Sequence, residues 1–294
     1  MANKNKSYLV DAEQVLLICD IHQDTSWATA VLEKEKGNYD HIIFNGDWFD
    51  THKTTSISGI TETAKLLKSC IDGKYGPATF ILGNHDAPYL EAHKSSVVYK
   101  KPTHLNTFCP GFTNSKSLKV SKVLSQEDWR KFSMFCEFGH YIISHAGICS
   151  PFWSEYKSVD ENLDKIWAET EEAIQLISLK PSKYLSPGLS RGGIETVGGL
   201  NWADWDCDFL DNLPIRQIVG HTMKYNTVRK TGMSYCVDGA QTTYCMLSKN
   251  GDIGFKSSVQ DPFHRDDTEF KNKISENYRY YYENHWITWA KTSG

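Results

Sequence analysis

The stretch IIFNGDWFD, residues 42–50, decides the architecture. It opens as a short apolar run, Ile42–Asn45, of the kind that forms a strand buried on both faces, and breaks into Gly46, Asp47 and Asp50. Four other stretches have the same form. LLICDIHQ carries Asp20 and His22 at the end of Val15–Cys19, and FILGNHD carries Asn84, His85 and Asp86 at the end of Thr79–Leu82. YIISHAG carries His145 after Tyr141–Ser144, and IVGHT carries His221 after Ile215–Val219. A helical pattern over Thr61–Ile71 lies between the early strands. Alternating strands and helices predict an α/β architecture with functional loops at the strand C-termini, where all five groups fall.

The remaining chain reads less regularly. Ser158 followed by Glu161 forms a capping-box pattern ahead of an apolar stripe (Leu163, Ile166, Trp167, Ile174, Ile177), predicting a helix over Val159–Leu179 that Pro181 helps stop. Alternating runs from Gly232 to Phe255, with a turn at Lys249–Asp252, predict late antiparallel strands. Residues 87–135 are polar and irregular, the pattern of a cap or surface insertion. The tail, with Ile274, Tyr278, Tyr281, Tyr282, His285, Trp286 and Trp289 at helical spacing, predicts an aromatic helix over 270–291 packed on the body, with an oligomer or partner contact as the alternative. Neither repeat nor low-complexity linker interrupts the 294 residues, so a single domain with a core over about 15–255 is expected.

Composition excludes several classes. Hydrophobic residues at 40% and charged residues at 23% suit a folded domain with a sizeable core. A formal charge of −4 provides no basic face for nucleic acid, and no apolar run approaches the roughly 20 residues that span a bilayer. The polar start MANKNKSY lacks the apolar core of a secretory signal. Eight cysteines are scattered without a C-x-x-C pair, several inside apolar runs, which argues for a reducing, cytoplasmic setting.

The five groups supply the ligands of a two-metal centre for phosphate-ester hydrolysis. Such a centre needs a carboxylate that holds two ions about 3.5–4 Å apart, with open positions for water and phosphate. Asp47 can bridge. Asp20 and His22 can complete one ion, and Asn84, His145 and His221 the other. Imidazole, carboxylate and amide oxygen together suit manganese, iron or zinc better than calcium. The nucleophile expected is a metal-bound hydroxide, with no phospho-enzyme. His85 is placed to protonate the leaving oxygen, with Asp50 to orient it and stabilise the imidazolium.

DIH, GDWFD, GNHD, SHAG and GHT, in this order from Val15 to about Leu247, resemble the calcineurin-like metallophosphoesterases. The resemblance implies a four-layer αββα sandwich: two mixed β-sheets face to face, flanked by helices, with the binuclear site at the strand C-terminal ends. It implies that Asp20, His22 and Asp47 bind one metal, that Asp47, Asn84, His145 and His221 bind the other, and that His85 with Asp50 is the acid pair. GNHDAPYL and SHAGICSPFW resemble bacterial symmetrical diadenosine tetraphosphate hydrolases, and GHT followed by YCVDGA resembles protein serine/threonine phosphatases. That branch implies a phosphate-binding arginine between the last two metal histidines, here Arg191 in LSRGG. The chain departs from the branch at Cys19 and Gln23, where glycines are usual, and at Thr51, His52 and Lys53, where the second motif usually continues into an arginine.

The expected function is therefore metal-dependent hydrolysis of a phosphate monoester or phosphoanhydride, in a small phosphorylated molecule, a nucleotide or a phosphoprotein. A phosphodiesterase or nuclease is the alternative within enzymes; Met223, where those members carry a second histidine, and the acidic balance argue against it. A non-catalytic scaffold is the alternative outside enzymes, and the intact Asp50 and His85 argue against that.

Overall fold

The computed structural model describes residues 6–51, 59–95, 105–107 and 109–257; the tail over 270–291 and the residues His52 and Lys53 lie outside these. The first three apolar runs become strands displaced by one residue towards the N-terminus, whereas Tyr141–Ser144 forms a strand over the same residues and Ile215–Val219 one that starts at Arg216. Strands β1 (Gln14–Ile18), β2 (His41–Phe44) and β3 (Ala78–Ile81) run parallel, with Leu16 opposite Ile42 and Phe44 opposite Phe80. The residues that close each run, Cys19, Asn45 and Leu82, lie past the ladder and begin the loops.

The short β4 (Phe132–Ser133) extends this sheet at one edge. A second sheet is built from β5 (Phe135–Phe138), β6 (Tyr141–Ser144), β7 (Arg216–Val219), β8 (Arg229–Thr231) and β9 (Ser234–Cys236) in the order β5-β6-β7-β9-β8. The last pair, β10 (Thr243–Ser248) and β11 (Ile253–Ser257), forms an antiparallel hairpin around Lys249–Asp252 and adds to β1, completing the six-stranded order β11-β10-β1-β2-β3-β4. Both sheets are thus mixed, as the motif resemblance implied.

Only part of the Gly232–Phe255 expectation survives. β9 belongs to the second sheet and runs parallel to β7, because Val237 N donates to Val219 O at 2.8 Å before the chain crosses between sheets. The crossing bends at Ala240 and Gln241, both at positive φ.

Side chains alternate across each strand, and the alternation sorts the core into layers. Val15, Leu17, Ile43, Ile81 and Leu247 from the first sheet share a cluster with Cys136, Phe138, Ile143 and Ile218 from the second, so the two sheets meet face to face. The opposite faces carry helices. Leu16, Ile18 and Phe44 pack with Val31 and Leu32 of α1 (Thr25–Lys34) and with Ala64 and Leu67 of α2 (Ile60–Ile71).

The segment 87–135, irregular by its sequence, carries α3 (Ala87–Ser95), α4 (Asn114–Val120) and α5 (Gln126–Trp129). Helices this short show little periodicity. Local caps define them instead: Thr113 accepts from Lys116 N, and Ser125 with Asp128 makes a capping box. Their few apolar residues, including Leu90, Phe112, Val120 and Trp129, are buried in the main core.

The helix after Ser158, α6, spans Val159–Gln175 with the expected capping box. It ends before Leu179 because polar groups from the 87–135 segment satisfy its last carbonyls: Lys94 Nζ donates to Ile174 O at 2.7 Å. Asn106 Nδ2 donates to Ile177 O at 3.0 Å just beyond. Trp167 packs edge-on against Phe135, ring centroids 5.3 Å apart, and so covers the second sheet. Among the described residues no helix is long and apolar enough to cross a membrane.

Candidate metal centre

Parallel pairing of β1, β2 and β3, and of β6 and β7, brings the five loops to one end of the sandwich. The loops make sharp exits. Asp20, His22, Asp47, Asp50 and His221 all adopt positive φ (52°, 45°, 55°, 59° and 66°), a conformation that costs a non-glycine residue on the order of 1 kcal/mol or more. Neighbouring backbones hold them there. Asp20 N donates to Gly46 O at 3.2 Å, His22 N to Asp47 O at 2.8 Å, and Gly220 N to His145 O at 2.7 Å.

Asp86 fixes the second loop from below. Its fully buried carboxylate accepts from Asp47 N (2.8 Å), Trp48 N (2.9 Å) and Gly83 N (3.2 Å). Its place in GNHD makes it a potential ligand by sequence; in the fold it is a loop clamp instead. Burial, and then the charge of Asp47, push its carboxyl up to about 7.

Two sets of side chains converge on Asp47. Asp47, His145 and His221 offer ligand atoms within 4.8 Å of one another, and so do Asp47, His22 and His85. Asn84 completes the first set, its Oδ1 lying 3.0 Å from His145 Nε2 and 2.9 Å from His221 Nδ1. The amide is oriented by Cys109, whose Sγ accepts from Asn84 Nδ2 at 3.3 Å. His145 Nδ1 lies 2.7 Å from Asn45 O, and His22 Nδ1 3.2 Å from Asp50 O. A carbonyl can be satisfied only by a protonated nitrogen, so both rings turn Nε2 towards Asp47, at 3.3 and 3.5 Å from Oδ2. Asp20 stands apart from both sets. Its carboxylate accepts from His221 N at 3.1 Å, and its backbone carbonyl from Gln241 Nε2.

The electrostatics fit divalent cations. Asp20, Asp47, Asp86 and Asp238 are four carboxylates no more than 3% exposed. Burial first, and then Asp238, raise Asp20 well above the usual carboxylate range. Asp238 itself is pushed up to about 6, by burial above all. Asp47 goes the other way: burial opposes its charge, but His145, His85 and His22 hold it well below the usual range. His145 is raised to about 9, the Asp47 carboxylate outweighing burial. His221 is depressed by burial and then by Arg191, which favours the neutral imidazole, and its buried Nε2 has no hydrogen-bond partner among the described residues. Crowded buried carboxylates, a neutral imidazole with an orphaned nitrogen and an inward amide oxygen are the donors that a pair of divalent ions would satisfy.

His85 stands at the rim of this centre. Its backbone N–H donates to Asp47 Oδ1 at 2.9 Å, and its Nδ1 lies 3.5 Å from Asp50 Oδ2. Burial works against the imidazolium, yet Cys109, Asp47 and Asp50 facing it raise its pKa well above the ordinary value. Arg191 lies on the far side. Its Nε meets Asp204 Oδ2 at 2.8 Å and its Nη2 donates to Thr222 Oγ1 at 3.1 Å, one residue beyond His221.

The fold therefore brings together the nine residues given a metal, acid or phosphate role in the sequence, with Asp20 outside the tightest sets. Sequence reasoning missed Tyr89, Cys109, Lys116 and Asp238, which touch or face the site from behind. Asp238 had a signal in the YCVDGA run; Cys109 and Lys116 had none, because they come from the irregular segment.

Over residues 14–225 the sequence matches the family model described as "Calcineurin-like phosphoesterase". No curated protein matches it significantly in sequence. Among solved structures it is similar to a cold-active protein-tyrosine phosphatase of a psychrophilic Shewanella species (14% identity, 84% of this chain and 81% of that one, TM-score 0.50), which shows a shared fold. Weaker similarities include a protein serine/threonine phosphatase from Saccharomyces cerevisiae (14%, 88% and 83%, TM-score 0.46). Another is a metallophosphoesterase from Sphaerobacter thermophilus (12%, 90% and 94%, TM-score 0.41).

Proposed function

The chain belongs to the calcineurin-like phosphoesterases, metal-dependent hydrolases of phosphoester bonds, and we propose that it cleaves phosphate monoesters or phosphoanhydrides with His85 as general acid. The carrying observation is that Asp47 is shared by two donor sets, and that His85, a member of one of them, is also faced by Asp50. On this reading His22, Asp47 and Asp20 hold one ion, and Asp47, Asn84, His145 and His221 the other. Manganese is the ion expected to work best in vitro, with iron or zinc as the other candidates. Bound there, the ions would supply Lewis acidity to the phosphoryl oxygens and water of lowered pKa.

The chain's own residues do the rest. Asp50 engages His85 through Nδ1, and Nε2 is the ring nitrogen that would deliver a proton to the departing oxygen. The Asp50 carboxylate facing Nδ1 favours the protonated ring that such an acid needs. Arg191, steadied by Asp204 and Thr222, offers its guanidinium to phosphate oxygens. The substrate is a small phosphorylated molecule, a nucleotide or a phosphoprotein; the phosphatases of similar fold support this class. A single domain carries the reaction, and scattered cysteines support a cytoplasmic setting.

A hydrolysis panel with added manganese tests this reading: an aryl phosphomonoester, its diester, a phosphopeptide and dinucleoside polyphosphates. Cleavage of the diester alone would point to a phosphodiesterase. Manganese binding without cleavage of any substrate would point to a scaffold. His85→Asn should lower kcat by roughly 100-fold or more on a substrate with a poor leaving group, with metal content unchanged. Equal activity in that variant refutes the acid role.

A further inference from the structure

The Asp50 carboxylate meets more than a histidine. Its Oδ1 accepts from Lys116 Nζ at 2.7 Å and from Tyr89 Oη at 2.8 Å. Lys116 also donates to Gly111 O at 2.7 Å. Gly111 closes over the carboxylate so tightly that a Cβ there would lie 2.9 Å from Asp50 Cγ. Lys116, Tyr89 and Asp50 are each 2% exposed or less.

A buried lysine is an expensive way to pack a helix. Replacing a buried ion pair by apolar groups of similar volume is often neutral or stabilising, so the stability of α4 does not call for this ammonium. What the two donors achieve is geometric. With Oδ1 accepting twice, rotating the carboxylate would break both hydrogen bonds, and Oδ2 is the oxygen that faces His85, 3.5 Å from Nδ1.

We propose that Lys116 and Tyr89 are positioning residues: they lock the Asp50 carboxylate so that Oδ2 holds His85 Nδ1, aiming the opposite ring nitrogen at the leaving oxygen. The inference rests on the assignment of His85 as general acid. Both residues act through Asp50 and need not touch substrate. Tyr89 follows His85 on the helix that GNHD opens, whereas Lys116 arrives from α4, so the acid pair depends on how the 87–135 segment packs.

The test compares leaving groups in the full-length, manganese-loaded protein. Protonation matters for an alkyl phosphate and little for p-nitrophenyl phosphate, whose leaving group is already a stable anion. Lys116→Met and Tyr89→Phe should each lower kcat on the alkyl ester by roughly 10- to 100-fold, as loss of a supporting hydrogen bond does elsewhere. On the p-nitrophenyl ester kcat should stay within about threefold, with KM and manganese content unchanged. Combined with His85→Asn, Lys116→Met should add no further loss, because both act on one step.

A general structural role would instead depress both substrates alike, and that result overturns the proposal, as does unchanged kcat on both. Should Lys116→Met fail to fold, Tyr89→Phe, which removes one hydroxyl and keeps the ring, carries the same test. If His85→Asn itself shows no dependence on the leaving group, the acid assignment has failed. If His85→Asn shows it and the two supporting variants do not, only the positioning inference has failed.

Discussion

Gly83→Ala removes nothing and adds one methyl group, yet it should disable the metal centre. A Cβ at position 83 would stand 2.2 Å from Asp47 Oδ1 and 2.3 Å from Asp47 N. Ordinary contact begins at 3.4 Å, so the β2 and β3 loops must part by about 1.2 Å. No flexible side-chain end can absorb this, because one obstructing atom is backbone and the other is the carboxylate shared by both donor sets. Parting would also stretch the bond from His85 N to Asp47 Oδ1, now 2.9 Å, beyond hydrogen-bonding range. Misplacing a reacting group by about 1 Å can cost roughly 100-fold in rate. The expected result is a folded protein that keeps less than half of the wild-type manganese after dialysis, with kcat down by about 100-fold or more. Gly254→Ala is the control: its Cβ would meet Met246 O at 3.7 Å, an ordinary contact. Elemental analysis gives metal per chain, and far-ultraviolet circular dichroism checks the fold. Full metal content and kcat within about threefold of wild type in Gly83→Ala would refute the close-approach argument.

Two further outcomes are expected. Glu35 has a folded pKa of about 2 against an ordinary 4.5: burial opposes its charge, but Lys256, Tyr244 and Asn38 overcome it. A depressed carboxyl stabilises the fold above its unfolded pKa and loses that contribution as the pH falls from about 4.5 towards 2, an effect on the order of 2–3 kcal/mol. Urea midpoints at pH 6 and pH 3 should therefore separate more for wild type than for Glu35→Gln; equal separations would sink the assignment. Arg191→Lys keeps the charge but loses the planar fork that meets Asp204 and Thr222. It should raise KM roughly tenfold or more for a phosphomonoester and leave metal content unchanged, the loss being that of a charge-assisted hydrogen bond. An unchanged KM would remove Arg191 from phosphate binding.

The legible part of this chain lies where chemistry and strand pattern coincide. Apolar runs ending in Asp, Asn or His announced both the parallel strands and their loops, because a buried parallel strand has to be apolar throughout and a metal loop has to be polar at once. Ser158 and Glu161 likewise announced the start of α6, but not its end. That end depends on Lys94 and Asn106, which arrive from far away in the chain. The 87–135 segment stayed opaque for a related reason: helices of four to nine residues, held by caps and by contacts with the main core, leave no period to read.

By itself, then, the order of residues determined the α/β layering and the family and picked out the candidate donor side chains, since these follow from local pattern and ligand chemistry. Tertiary structure alone decided which sheet β9 joins, that Asp86 clamps the Asp47 loop, and that Lys116 and Tyr89 hold Asp50. Each of these is a contact between segments remote in sequence. Such a contact depends on how two surfaces dock, and no single stretch of the chain encodes it.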